Sequence, residues 1–340
     1  MAIGEAPMIF FTVITQMCVG MFIVLGAIQT IGAMRYPAKV IDRLADPALF
    51  AIGPAMILGL LVSMLHMHDV TNMFNVIRHW DSSWLSREIL FGIGFAALGF
   101  LFCIMQVLKL GSVRLRQVVA VLTAVVGVGL VVAQAQIYYS LATIPAWHHW
   151  ATWVQFFGTA LLLGSLGVGT TFVLLIHKRD RRVARMSQSE IAQLDESHES
   201  GSLSEKVRDF FTDRHLTDSA TREQVDSLLT TAVRSVVSVA IVAAGVILIA
   251  MQIYVPDLAQ SGLSGLEAAD SYATGFAMVR FALLVAGALV LGLAAFFFVG
   301  ASPKKLGLVA AILGSAFILV LISEFMGRAL FYGAMTAVGI

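Results

Sequence analysis

The chain has 340 residues, of which 22 are Lys or Arg and 21 are Asp or Glu, so charged residues make up 13%, against roughly a quarter in ordinary globular proteins. With 59% apolar residues and a mean hydropathy of +0.87, a water-soluble chain would expose more continuous apolar surface than monomers tolerate. The composition excludes a soluble globular domain and reads as a membrane protein. Charge is unevenly spread: nine Lys/Arg and eleven Asp/Glu fall between Lys178 and Asp226.

The opening MAIGEAPMIFF lacks a basic n-region and carries Glu5, so it reads as the start of the mature first helix and not as a cleavable signal peptide. A hydrocarbon core about 30 Å thick takes about 20 apolar residues as helix. Eight such runs lie near 8–33, 47–67, 87–108, 115–139, 151–177, 228–254, 272–299 and 305–331. Backbone polar groups must be paired in lipid and the runs exceed a barrel strand, so the expected fold is all-α, an integral membrane domain of eight transmembrane helices, two four-helix groups. Residues 178–227 form a charged loop whose Lys178, Arg179, Arg181, Arg182 and Arg185 suit anionic headgroups or anchor the topology. Lys and Arg gather in alternate loops, seventeen against Arg78 and Arg87 in the others, which places the rich loops in the cytoplasm and both termini outside.

Cys18 and Cys103 sit inside apolar runs, and two thiols cannot hold an iron–sulfur cluster. No metal is expected in this protein. All five tryptophans, Trp80, Trp84, Trp147, Trp150 and Trp153, fall at the expected outer ends, where they serve as an interfacial belt or shape ligand entry and subunit docking. There the second helix ends in Ser63, His66, His68 and Asp69, and the third begins at Ser86, Arg87 and Glu88. Ionisable groups at membrane depth are costly and usually have a role. A neutral histidine, with an ordinary pKa of about 6.5, beside a carboxylate suits quinol oxidation: one accepts a hydroxyl proton and the other carries the next toward water. Haem is not expected, because no two histidines lie at matching depth on facing helices. Glu324, Arg328 and Tyr332, four apart, share one helix face, where Glu324 and Arg328 read as a structural ion pair or as lining of the same cavity. Gln16, Gln134, Gln136 and Arg280 read as helix-packing hydrogen bonders unless the fold places them beside His66 and Glu88.

The segments APMIFFTVITQ, SMLHMHDVTNMFNVIRHWDSSWLSREI, YYSLATIPAWHHW and EFMGRALFYGAMTAVG, ordered along nearly the whole sequence, resemble the membrane-anchor subunit family of dimethyl sulfoxide reductases. The long charged stretch after the fifth helix and His68 depart from the family pattern. The resemblance implies a multi-pass subunit of a prokaryotic cytoplasmic membrane in anaerobic respiration. It would bind and oxidise menaquinol near the outer face. Electrons would pass to an iron–sulfur subunit that feeds a molybdenum bis-pterin catalytic subunit; no nucleic acid is involved. By motif, His66 and Glu88 take the quinol-site histidine and carboxylate; from their place at the outer helix ends, Ser63, His68, Asp69, Arg78, Trp80, Trp84, Ser86, Arg87, Trp147 and Trp150 are expected around them. Two alternatives stay open: a proton-translocating subunit of polysulfide-reductase type, and a secondary transporter, against which no inverted repeat is visible.

Overall fold

The computed structural model describes residues 6–66, 79–185, 219–299 and 305–335, and among these the protein is all helix with no strand. Nine helices follow in order: α1 Ala6–Gly32, α2 Ala38–His66, α3 Trp84–Val107, α4 Val113–Tyr139, α5 Ala151–Val183, α6 Ser219–Ala259, the short α7 Leu263–Tyr272, α8 Gly275–Phe298 and α9 Leu306–Gly333. All but α7 are long and apolar enough to cross a bilayer. Large apolar side chains such as Leu90, Val242, Ile249 and Phe297 point outward, as they must where the surrounding solvent is hydrocarbon.

Most expected spans match within a few residues, and the departures have local causes. Helix α2 begins at Ala38, nine residues before the apolar run, and continues through Pro47 and Pro54. Its first turns carry Asp42 and Asp46, which are paired and not solvated. Asp42 Oδ1 accepts from Arg116 Nη2 at 2.7 Å and Gln106 Nε2 at 2.9 Å, its Oδ2 accepts from Lys109 Nζ at 3.1 Å, and Asp46 Oδ1 accepts from Lys109 at 2.6 Å and Gln106 at 2.7 Å. Arg116 also donates to the carbonyls of Leu110 and Gly111. Lys109, Arg114 and Arg116 carry the topology signal, yet two of them are spent inside this cluster. Proline is tolerated within membrane helices because neighbours can re-satisfy the freed backbone. Helices α5 and α6 run to Val183 and back to Ser219, taking both ends of the stretch expected as loop.

The bundle forms two groups, α1–α4 and α5, α6, α8 and α9, joined chiefly where α1 lies on α5. At that seam the backbones touch. A Cβ on Gly20 would overlap the carbonyl oxygen of Ala160, and one on Gly164 would overlap the carbonyl carbon of Gly20. Lipid tails are as apolar as leucine, so close approach of this kind, and not exclusion of water, holds membrane helices together. In the second group α8 widens into a π-helical stretch over Val285–Leu291. Before it, Arg280 faces Gly327 of α9; after it, Gly292 faces Val237 and Ile241 of α6. The Asp42 cluster and Glu88 lie near opposite ends of the bundle, since Gln106 and Glu88 are 18 residues apart on α3, about 27 Å.

Candidate functional site

Helix α3 opens on an N-cap: the Ser83 hydroxyl accepts the backbone N–H of Ser86 at 3.4 Å. Arg87 folds back over the preceding loop, donating to the carbonyls of Trp80 at 2.9 Å and Asp81 while its guanidinium lies 4.1 Å from the Trp84 ring centroid. That arginine is consumed by the loop. Glu88, one residue and about 100° further round the helix, is partly buried and lies beside Gln134 of α4.

Gln134 belongs to a polar relay that crosses the bundle. Its Oε1 accepts from Gln16 Nε2 of α1 at 3.2 Å, and Gln16 Oε1 accepts from Arg328 Nη2 of α9 at 2.6 Å. All three are buried. Next to them the hydroxyls of Tyr138 and Tyr332 meet at 2.9 Å, and both rings lie within electrostatic reach of Glu88. Aromatic residues pack around the relay. Trp147 Nε1 donates to the carbonyl of Phe331 at 2.8 Å, and the Arg328 guanidinium sits 3.8 Å from the Phe156 ring centroid. Such cation–π contact offsets part of the cost of burying the charge.

Glu324 and Arg328 share a face, but each finds another partner: Glu324 Oε2 accepts from the Thr159 hydroxyl of α5, and Arg328 donates to Gln16. The two charges remain coupled through space. Several buried polar atoms here have no protein partner: Glu324 Oε1, Arg328 Nη1, Arg280 Nε and Nη1, Gln134 Nε2 and Gln155 Nε2. Each such atom costs about 1–3 kcal/mol if left dry, so bound water or ligand is the physical expectation.

The expected site residues divide as follows. Ser63 and His66 lie on the last turn of α2, with His66 its final residue, at the end of the bundle where Trp84 opens α3; their side chains fall outside the described residues, as do His68, Asp69 and Arg78 entirely. Glu88, Ser86, Arg87, Trp80 and Trp84 come together in one stretch, with Ser86 buried and Trp80 exposed. Trp147 is buried against Tyr138 and Phe331, whereas Trp150 is 41% exposed. Gln134 lies beside Glu88, Gln16 joins it to Arg328, and Arg280 has unpartnered buried nitrogens. Tyr138 and Thr159 carry no signal that would have set them apart from other polar residues in apolar runs.

Behind Trp147, His149 Nδ1 accepts the N–H of Ala151 at 3.2 Å, which leaves the proton on Nε2, 3.6 Å from Asp257 Oδ2. Burial holds this imidazole below the usual histidine range, with Asp257 pulling partly the other way. An apolar groove of about 580 Å³ lies elsewhere, between α5 and α6, walled by Trp153, Phe157, Leu161, Val239, Val242 and Val246. It has no titratable group and takes no part in the Glu88 site. Among the described residues no three His, Cys, Asp or Glu side chains gather as metal ligands.

Eight apolar helices around a buried polar relay near one end define a polytopic helical membrane protein. A profile of the DMSO reductase anchor subunit (DmsC) family matches residues 1–334, and the chain belongs to that family. It is 33% identical over 162 residues to the C subunit of the anaerobic dimethyl sulfoxide reductase of Escherichia coli K12, a match covering 48% of this protein and 55% of that subunit. The C subunit of the Haemophilus influenzae enzyme is 27% identical over 181 residues, covering 52% and 61%. The matched stretch thus spans little more than half the length of either relative.

Proposed function

We propose that this protein is the membrane anchor of a DMSO reductase-like complex and oxidises menaquinol at the Glu88 site. The observation that carries the reading is Glu88 itself: a partly buried carboxylate one turn inside a membrane helix, beside a buried amide, at the end of the bundle where α2 ends in His66. Oxidation of one quinol releases two protons and two electrons. His66 takes the first proton and Glu88 the second, with Asp69 and Arg78 on the way out and Trp80, Trp84 and Trp150 at the ring's entrance. The electrons pass to an iron–sulfur subunit docked on the same face, and from there to a molybdenum bis-pterin subunit; the iron, sulfur and molybdenum belong to those partners. The distribution of Lys and Arg favours an outer placement of this face, so protons are released where the reductase consumes them.

Gln16, Gln134 and Arg328 are buried, and burial strengthens the dipoles they present. The test is quinol-driven turnover in membranes carrying the assembled complex with His66→Ala or Glu88→Gln. Each is expected to lose most of that turnover while dye-driven reduction, which bypasses the anchor, persists; full quinol-driven activity in both variants refutes the assignment.

A further inference from the structure

The hydrogen bonds linking Arg328, Gln16 and Gln134 have a fixed direction. A guanidinium has donors and no acceptor, so Arg328 Nη2 can meet only the carbonyl end of Gln16, at 2.6 Å. Gln16 must then offer its amide nitrogen to Gln134, and does so at 3.2 Å to Oε1. Gln134 is left with its Nε2 pointing onward, fully buried, beside the Glu88 carboxylate and closing no well-formed hydrogen bond in the protein. One cation on α9 thereby sets which end of an amide on α4 faces the site. Flipping that amide would force Gln16 to flip as well and turn its N–H groups onto a buried arginine.

We propose that Gln134 Nε2 is the fixed donor to the quinol oxygen whose proton goes to Glu88, and that Gln16 and Arg328 are positioning residues that hold that donor in place. The inference rests on the quinol reading of Glu88. One ring hydroxyl gives its proton to His66, the other breaks its O–H bond and its proton bonds to a Glu88 carboxylate oxygen, and the two electrons leave to the iron–sulfur partner. As the proton moves, negative charge builds on the ring oxygen and the N–H bond from Gln134 tightens. A preset donor of this kind stabilises the transition state more than the bound quinol.

The isosteric change Gln16→Glu separates positioning from packing. A carboxylate at 16 still accepts from Arg328 but has no donor, so Gln134 must turn its N–H toward residue 16 and its carbonyl toward Glu88. Quinol-driven and dye-driven turnover are measured in membranes for Gln16→Glu, Gln134→Leu, the double variant and Glu88→Gln. Both single variants are expected to lower quinol-driven kcat about 100-fold, with the loss confined to quinol-driven turnover and no further loss in the double variant. Wild-type quinol turnover in Gln16→Glu and Gln134→Leu, with Glu88→Gln inactive, overturns this inference and leaves the quinol site standing. Wild-type turnover in Glu88→Gln overturns the site itself. An equal fall in dye-driven turnover for Gln16→Glu marks a packing role and also overturns the inference; if Gln134→Leu does not assemble, the isosteric variant decides alone.

Discussion

Replacing Asp42 with Asn isolates the energetic weight of the charge cluster that ties α2 to the α3–α4 turn. Asp42 accepts from Arg116 at 2.7 and 3.3 Å, from Gln106 at 2.9 Å and from Lys109 at 3.1 Å. The Arg116 side chain is 4% exposed, so losing its carboxylate leaves a buried cation. Breaking a buried pair from one side costs about 3–5 kcal/mol, and because Asp42 keeps 14% exposure the lower end, about 3 kcal/mol, applies. Asp46→Asn differs: Lys109, with which it pairs, is 30% exposed and retains Asp42, so water screens the loss of that pair to about 1 kcal/mol. The two native thiols, Cys18 and Cys103, both lie within the spans, so a thiol-reactive fluorophore reports unfolding in detergent without added labels. The expected midpoint falls by about 6 °C for Asp42→Asn and by about 2 °C for Asp46→Asn. Equal shifts for the two variants, or none for Asp42→Asn, would refute the assignment of the cost to Arg116.

Three other outcomes follow from the same geometry. Gly20→Val places a side chain where the Ala160 carbonyl already stands, so α1 must leave α5; complex recovered from membranes should drop at least about tenfold on quantitative blotting, whereas Gly245→Val, where a Cβ meets nothing within 4 Å, should leave it unchanged. His149 is held below the ordinary histidine value of 6.5 by burial, so the unfolded state binds its proton first; the contribution of this loop is present above pH 6.5 and lost as pH falls through the lowered folded value. Hydrogen exchange at the Ala151 amide should accelerate over that window, and His149→Gln should flatten the response. Trp147→Phe removes the bond to the Phe331 carbonyl and should lower the unfolding midpoint by about 2 °C, the equivalent of about 1 kcal/mol, with quinol-driven turnover reduced less than by Glu88→Gln.

The spans were legible because bilayer thickness dictates a length that few soluble segments reach; the hydroxyl caps of Ser83 and Ser112, which start two of the helices a few residues before the apolar runs, are seen only in the fold. The start of α2 was not legible. Asp42, Asp46, Lys109 and Arg116 look like loop charges until their partners are known, and pairing between residues more than 60 positions apart leaves no local pattern. The helix over Leu263–Tyr272 was missed for a similar reason: it is short, and it is held by contacts such as Tyr272 against Tyr254. At the site, Glu88 stood out because a carboxylate in an apolar run is costly. Gln134 and Gln16 could be named only conditionally, since an amide that packs two helices and an amide that faces a ligand are the same residue until depth and rotation are fixed. Glu324 and Arg328 follow from spacing alone as a pair; the fold offers each a nearer partner, Thr159 and Gln16, and geometry across helices outweighs periodicity along one.

The π-helical stretch in α8 gives that helix two registers. Residues on its first part, Arg280 among them, are phased to α9, and those after it, from Gly292 on, are phased to α6. Deleting a single residue between Val285 and Leu291 would therefore not shorten a loop but rotate one half of a span against the other, swinging Arg280 off Gly327. Length in this segment is a phase setting, and relatives of this protein that keep an arginine at that position should keep the surplus residue with it.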